Sequence, residues 1–299
     1  MCGITGIYNF NSTICDDELI TLMNDSLIHR GPDAGSVFRD RNFALGHRRL
    51  SILDLSDSAN QPMFSKKKDF VIVYNGEVYN FRELKKELQK KGYFFNTSSD
   101  TEVILNGFIE YGTNLFNMLN GMFSLAIYDY NKKTLFLARD RFGIKPLYFY
   151  NDKEVFLFAS EKKAILKKPN INKNLNYQAI SEYFWFGNPL GNNTFYENIN
   201  ELSAGSYAIV SKKSFSIQKY FDINNIKKNN TSEEEAIKKI RNLLEKSIKS
   251  QLVSDVPVGI FLSGGIDSSA ITAFASKHYS GKLKTYSVGF DYDKGVNEL

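Results

Sequence analysis

Cys2 is the residue of this chain best equipped to act as a nucleophile. It follows Met1 directly, so loss of the initiator methionine puts thiol and α-amine on one terminal residue. The amine titrates near about 8 and the thiol near about 8.5, so proton exchange between them at neutral pH is nearly thermoneutral. Such a nucleophile carries its own general base and needs no distant histidine. Amide attack also requires donors for the developing oxyanion and partners for the substrate's charges. Asn75-Gly76 offers a side-chain amide beside a residue that lets backbones approach closely. The dipeptide is also a common hairpin turn, and it is read here as a tight turn ending a strand. Arg49 can grip a carboxylate through two parallel bonds, and Asp100 can pair with an ammonium. Each has a plain structural alternative. Cys2 could be a small buried strand residue, Arg48-Arg49 a solvated pair, and Asp100 the N-cap of a helix beginning at Thr101.

A second constellation lies far along the chain, at Val258-Gly259-Ile260-Phe261-Leu262-Ser263-Gly264-Gly265-Ile266-Asp267-Ser268-Ser269. An apolar strand, a glycine-rich turn and an apolar helix follow one another, an order in which backbone N–H groups and a helix amino terminus hold an anion. A further strand at 284–290 completes a βαβ unit. The loop lacks the Gly-Lys-Ser/Thr ending of a Walker A motif. Arg139 to Tyr148 also gathers arginines, a glycine and a lysine, but Pro146 leads into a strand rather than a helix, against a phosphate cradle.

The elements that must position these groups are mostly short β-rich runs, at 4–8, 43–53, 70–74, 122–128, 134–138, 147–150 and 155–159. Helical periodicity appears at 16–27, 81–91 and 101–111. Strands interleaved with few helices imply an α+β layered fold. From about 211 to 232 the sequence turns polar and asparagine-rich, the best linker candidate. Ser232 with Glu233-Glu234-Glu235 then starts a strong helix with one apolar face. The expected division is a first domain at 1–215, a linker at 216–232 and a second domain at 233–299.

The opening Met1-Cys2-Gly3-Ile4-Thr5-Gly6-Ile7 is followed by Arg49-Leu50-Ser51-Ile52-Leu53, Tyr74-Asn75-Gly76-Glu77-Val78-Tyr79-Asn80, Ser99-Asp100-Thr101-Glu102, Gly121-Met122-Phe123-Ser124 and Arg139-Asp140-Arg141-Phe142-Gly143-Ile144-Lys145-Pro146. With the Ser263–Ser269 loop, this series resembles the glutamine-hydrolysing asparagine synthetases, in which a class II glutamine amidotransferase domain precedes a synthetase domain. The resemblance implies an αββα sandwich of the N-terminal nucleophile hydrolase type, then the beginning of an α/β parallel-sheet nucleotide-binding domain. It implies Cys2 as nucleophile and Asn75 with Gly76 as oxyanion hole. A glutamine pocket would comprise Arg49, Leu50, Ser51, Ile52, Leu53, Asn75, Gly76, Glu77 and Asp100. His29-Arg30-Gly31-Pro32-Asp33 would be a loop near it, with no chemical step. In the second domain Ser263, Gly264, Gly265 and Ser268 would hold ATP phosphates, Leu262 and Val288 would flank adenine, and Asp267 would help hold Mg²⁺. Glu298 falls where the family has an acidic residue. The implied reaction hydrolyses glutamine, adenylates the β-carboxylate of aspartate with ATP, and aminates it to asparagine. Another carboxylate acceptor, or a glutamine-binding remnant without synthetase activity, are the competing readings. Sugar-isomerising relatives are disfavoured by the Ser-Gly-Gly-Ile-Asp-Ser loop, and β-lactam-forming ones by Cys2. The synthetase domain of that family needs more chain than follows Ser232, so a fragment or a natural truncation is expected.

Composition narrows the remaining classes. A formal charge of +5 with scattered lysines reads as solvated faces, not a nucleic-acid surface. A disulfide between Cys2 and Cys15 would consume the nucleophile, and two cysteines in 299 residues argue against a secreted, stapled scaffold. No apolar run of membrane-spanning length and no signal-peptide pattern occurs. The expectation is a cytoplasmic enzyme, with the oligomeric state open and a homodimer one option.

Overall fold

A computed structural model describes residues 1–289 as two compact units, Met1–Asn225 and a second beginning at Ile226. The first opens with β1 (Gly3–Asn9), a helix α1 (Asp17–Asp25), and the hairpin β2 (Ala34–Asp40) and β3 (Phe43–Arg49). A short β4 (Met63–Phe64) leads to the long β5 (Phe70–Val78) and the helices α2 (Phe81–Lys90), α3 (Asp100–Tyr111) and α4 (Leu115–Met118). Two hairpins follow, β6 (Gly121–Asp129) with β7 (Thr134–Arg139), and β8 (Tyr148–Asn151) with β9 (Val155–Ala159). The unit ends with α5 (Lys162–Ile165), α6 (Tyr177–Phe186), β10 (Ile199–Glu201) and the hairpin β11 (Ser206–Ser211) with β12 (Ser214–Lys219).

These strands form two six-stranded antiparallel sheets, ordered β10-β8-β9-β1-β3-β2 and β12-β11-β7-β6-β5-β4. Period-2 alternation explains how they stack. Along β1, Ile4 and Tyr8 enter the core between the sheets, while Ile7 turns outward to pack with Ile20 and Met23 of α1. Phe43 stacks on Tyr128 across the sheets at 4.0 Å between ring centroids. Each such fully buried side chain contributes roughly 1.5–3 kcal/mol. On the outer face of the other sheet, Phe108 of α3 meets Phe70 and Phe136. The layers are therefore helix, sheet, sheet, helix, as the α+β reading anticipated.

Register brings the catalytic candidates together. Because β1 and β3 run antiparallel with Gly3 opposite Arg48, the start of β1 meets the end of β3, and Cys2 lies beside Arg49-Leu50. Gly31 allows this junction, since a Cβ there would lie 2.3 Å from the Arg48 carbonyl carbon.

The structure corrects several expectations. Asn75-Gly76 ends no strand in a turn; β5 runs on to Val78, with Asn75 opposite Ser124 and Gly76 opposite Phe123. Glycine is required because a Cβ at Gly76 would sit 2.3 Å from the Met122 carbonyl oxygen. The N-cap of α3 is Ser99, which accepts from the Thr101 N–H at 3.1 Å, so Asp100 is already helical. The linker expected from 216 begins inside β12, a solvent-facing edge strand that needs few apolar residues. The run at 43–53 stops being a strand at Arg49, and residues 50–53 form a loop.

The second unit contains α7 (Glu233–Gln251), β13 (Gly259–Phe261), α8 (Ile266–His278) and β14 (Lys284–Tyr286). Ser232 caps α7 through the Glu235 N–H. β13 and β14 pair in parallel, Gly259 opposite Lys284, giving the anticipated βαβ unit with shorter strands. Phe290 and Glu298, named in the sequence reading, lie outside the described residues.

Candidate active site

Cys2, Arg49, Leu50, Ile52, Leu53, Asn75, Gly76, Glu77 and Asp100 line one cavity of about 220 Å³ in the first unit, together with Tyr74, Met122 and Lys145. The thiol of Cys2 donates to the Leu50 carbonyl at 3.6 Å and accepts from the Leu50 N–H at 3.4 Å. Burial pushes this thiol up, and the Leu50 N–H and the positive amino terminus act against that shift. Cys2 itself is held from behind, where Arg30 Nε donates to its carbonyl at 2.9 Å. Arg30 is in turn paired with Glu161 at 3.0 Å. Burial raises the Glu161 carboxyl, but Arg30, His29 and Lys163 together bring it down to about 2.

Ser51 belongs to the loop that borders the cavity without lining it. Its N–H donates to Asp33 at 2.8 Å, so His29-Arg30-Gly31-Pro32-Asp33 supports both the nucleophile and the loop after Arg49. Arg49 is buried, and its terminal nitrogens donate to the Ser56 carbonyl at 2.9 Å, the Asn60 side chain at 2.8 Å, the Leu53 carbonyl at 3.2 Å and the Asp54 carbonyl. These acceptors are neutral, so Arg49 shapes the wall and brings a positive charge to it. The open fork anticipated for an incoming carboxylate is closed on this loop.

Asn75 is 1 % exposed, and its amide NH₂ has no hydrogen-bond partner among the described residues. An unmade bond at a buried donor costs about 1–3 kcal/mol, which an oxyanion placed there would recover. The far wall is acidic. Asp100 accepts from the Tyr74 hydroxyl at 2.8 Å and the Val78 N–H at 3.0 Å. Burial pushes its carboxyl up, against those hydrogen bonds. Glu77 is raised to about 8, first by burial and then by the charge of Asp100, with Lys145 acting in the opposite direction. Two carboxyls so placed are built to receive a cation.

Sequence reasoning missed Lys145, His47 and the Arg30–Glu161 pair. His47, buried between the sheets, contacts the Tyr74 carbonyl through Nε2 at 3.1 Å, and burial lowers it to about 4. Its partners lie distant in sequence, so no local pattern marks it. Lys145 was visible only as part of a motif with no assigned task.

In the second unit Leu262, Ser263, Gly264, Gly265, Asp267 and Ser268 lie together between β13 and the first turn of α8. Gly264 has φ +90°, which favours glycine, and Gly265 precedes α8 with no side-chain cap on its first N–H groups. Ser263 and Ser268 hydroxyls approach to 3.1 Å, and the Ser263 N–H donates to Ser268 Oγ at 3.2 Å. Leu262 and Val288 follow the carboxyl ends of the two parallel strands. Uncapped N–H groups at an exposed helix start fit a phosphate. Among the described residues no group of three or more His, Cys, Asp or Glu could hold a metal, and no helix is long and apolar enough to cross a membrane.

Residues 1–221 match the family described as glutamine amidotransferase domain, and residues 239–299 match asparagine synthase. Glutamine-hydrolysing asparagine synthetase 3 of Bacillus subtilis strain 168 is 37 % identical over 300 residues, covering 98 % of this chain and 48 % of that protein. Asparagine synthetase 1 of the same organism is 38 % identical over 303 residues, covering 100 % and 47 %. The chain thus spans about half the length of the curated relatives it matches. The solved glutamine phosphoribosylpyrophosphate amidotransferase from B. subtilis superposes with a TM-score of 0.55 at 18 % identity, over 97 % of this chain and 67 % of that one, a likeness of fold.

Proposed function

The chain belongs to the glutamine amidotransferase domain family, and we propose that its first unit releases ammonia from glutamine at Cys2 to aminate a carboxylate, most directly the β-carboxylate of aspartate. The carrying observation is the single cavity that holds Cys2, the unpartnered amide of Asn75, the cation Arg49 and the carboxyls Glu77 and Asp100. In this reading Met1 is removed and the freed α-amine of Cys2 takes the thiol proton. The thiolate attacks the glutamine amide carbon, and the oxyanion is met by Asn75 Nδ2–H and the Gly76 N–H. Collapse breaks the C–N bond, ammonia leaves with the proton held by the amine, and water hydrolyses the γ-glutamyl thioester to glutamate. Arg49, its terminal nitrogens bonded to the loop, would act on the α-carboxylate end through its charge, with Leu50, Ile52 and Leu53 lining that end and Ser51 fixing the loop, while Glu77 and Asp100 would hold the α-ammonium.

In the second unit the uncapped amino terminus of α8 with Ser263, Gly264, Gly265 and Ser268 suits a pyrophosphate, and Leu262 and Val288 would flank a base. Asp267 would share Mg²⁺ with the phosphates. When bound, ATP-Mg²⁺ supplies activation of the acceptor carboxylate. Synthesis of asparagine belongs to this proposal, and the names of the relatives support it; ATP use, a homodimer and a cytoplasmic location are further parts of the same proposal. Glutamate release from glutamine by the methionine-processed chain, beside Cys2→Ala, tests the hydrolytic half. Release in both would reject Cys2 as the working nucleophile, and release in neither would reject the glutaminase reading.

A further inference from the structure

We infer that Lys145 is a positioning residue of the hydrolytic site, its buried ammonium supplying the positive charge against which the Cys2 thiolate forms and Glu77 ionises. The inference rests on the reading of the cavity as a glutaminase site. Lys145 is 6 % exposed and lines the same cavity as Cys2 and Glu77. Its backbone is locked. Buried Asp140 accepts from the N–H groups of Phe142 at 3.1 Å, Ile144 at 3.0 Å and Lys145 at 3.0 Å. Arg139 donates to the Lys145 carbonyl at 2.8 Å and to the Gly143 carbonyl at 2.8 Å. Among the described residues the Lys145 ammonium has no hydrogen-bonded partner or ion pair.

A buried ammonium without an anion is driven toward its neutral form. Burial does lower Lys145, and Glu77 and Cys2 oppose that shift. Its charge is therefore best stabilised when a facing group is anionic, as each must be during turnover. The thiol is faced by the amino terminus, Arg49, Glu77 and Lys145. Asp100 repels Glu77, while Arg30 lowers Lys145, Asp140 raises it, and Asp33 acts on the amino terminus. Lys145 thus offsets, at Glu77, the repulsion from Asp100. If Lys145 only fills the wall, an uncharged side chain of similar length would serve equally well.

The test uses the full, methionine-processed chain with Lys145→Met, Lys145→Gln and Lys145→Arg, and Lys153→Met as an exposed control. Alkylation of Cys2 by iodoacetamide, followed by peptide mass spectrometry across pH, needs no substrate, and buried Cys15 marks any unfolding. Lys145→Met and Lys145→Gln should slow Cys2 alkylation near neutral pH about tenfold and shift its midpoint up about one unit, with Lys145→Arg within about twofold of wild type. The KM for glutamine should rise about tenfold near neutrality in Lys145→Met and recover toward wild type about two units higher, where Glu77 ionises unaided. A wild-type alkylation profile in a folded Lys145→Met or Lys145→Gln protein overturns the inference, as does an equal shift in Lys145→Arg. Absence of glutamate release from wild type would refute the glutaminase reading separately, since the alkylation profile still decides what Lys145 does to the thiol.

Discussion

The cavity around Cys2 and the glycine-rich loop of the second unit are built in opposite ways. In the first unit the working groups are fixed by partners from distant segments, Arg30 to Cys2, Asp33 to Ser51, and Tyr74 and Val78 to Asp100. Behind them lies a core of fully buried side chains such as Phe43, Phe123 and Phe158. In the second unit the loop bonds largely within itself, through Ser263, Gly265 and Ser268. Around it, Phe261 is 82 % exposed and Ile240 of α7 is 65 % exposed. The first site is preorganised by tertiary packing, the second mainly by bonds local to the loop, with Tyr286 and Ser287 holding only its start at Leu262. Preorganisation is what an oxyanion hole needs, because its donors must be in place before charge develops.

The sharpest way to break this contrast is to remove chemistry from each site in turn. Cys2→Ala should lower glutamate release by a factor of about 10³ or more, while Asp267→Asn leaves it at the wild-type rate. A loss in Asp267→Asn would show that the two sites are not separable. Asn75→Ala should lower kcat by about 10²–10³ with little change in KM, because its amide meets charge present only in the transition state. Steady-state kinetics on the three variants separates these effects.

Stability should divide along the same line. Leu137→Ala, in the core between the sheets, should cost about 2–5 kcal/mol in denaturant titration. Ile240→Ala should change little, within about 0.5 kcal/mol, since most of its surface is already in water. Comparable losses at the two positions would mean that the Ile240 face of α7 is covered in solution.

The smallest effect is a pH slope with two signs. Glu77 titrates near 8 in the folded protein, above the ordinary 4.5, so the folded state holds that proton more tightly than the unfolded one. Its contribution to stability is full below the ordinary value and is lost as pH rises through 8. Glutamine affinity should move the other way and strengthen over the same rise, as Glu77 gains the charge that meets the ammonium. Urea midpoints and glutamine titration of Cys2→Ala, each with and without Glu77→Gln, read both slopes, and Glu77→Gln should flatten them.

Much of this was legible in the sequence where a segment's own pattern decides its structure. The apolar runs of β1, β6, β7 and β9, and the periodic face of α3 with Val103, Ile104 and Phe108, were read nearly at their final bounds. Local pattern failed where a neighbour decides. β2 and β12 are edge strands with mostly exposed residues; β2 has no apolar alternation, and in β12 only Phe215 and Ile217 alternate, too short a run to mark it. Gly76 looked like a turn because the reason for it is the backbone of β6, some forty-five residues later in the chain. The candidate residues of the cavity were named from motifs. Among the supports, Arg30 and Lys145 stood inside motifs given no chemical task and His47 stood in none, because each acts through contacts that only folding creates.

The most direct test of the central claim is acid quench of the methionine-processed chain during turnover with glutamine, followed by mass analysis of the amino-terminal peptide. The account predicts a γ-glutamyl adduct on Cys2, absent in Cys2→Ala and diminished in Asn75→Ala. Glutamate release with no adduct on Cys2 at any quench time, and undiminished in Cys2→Ala, would contradict it.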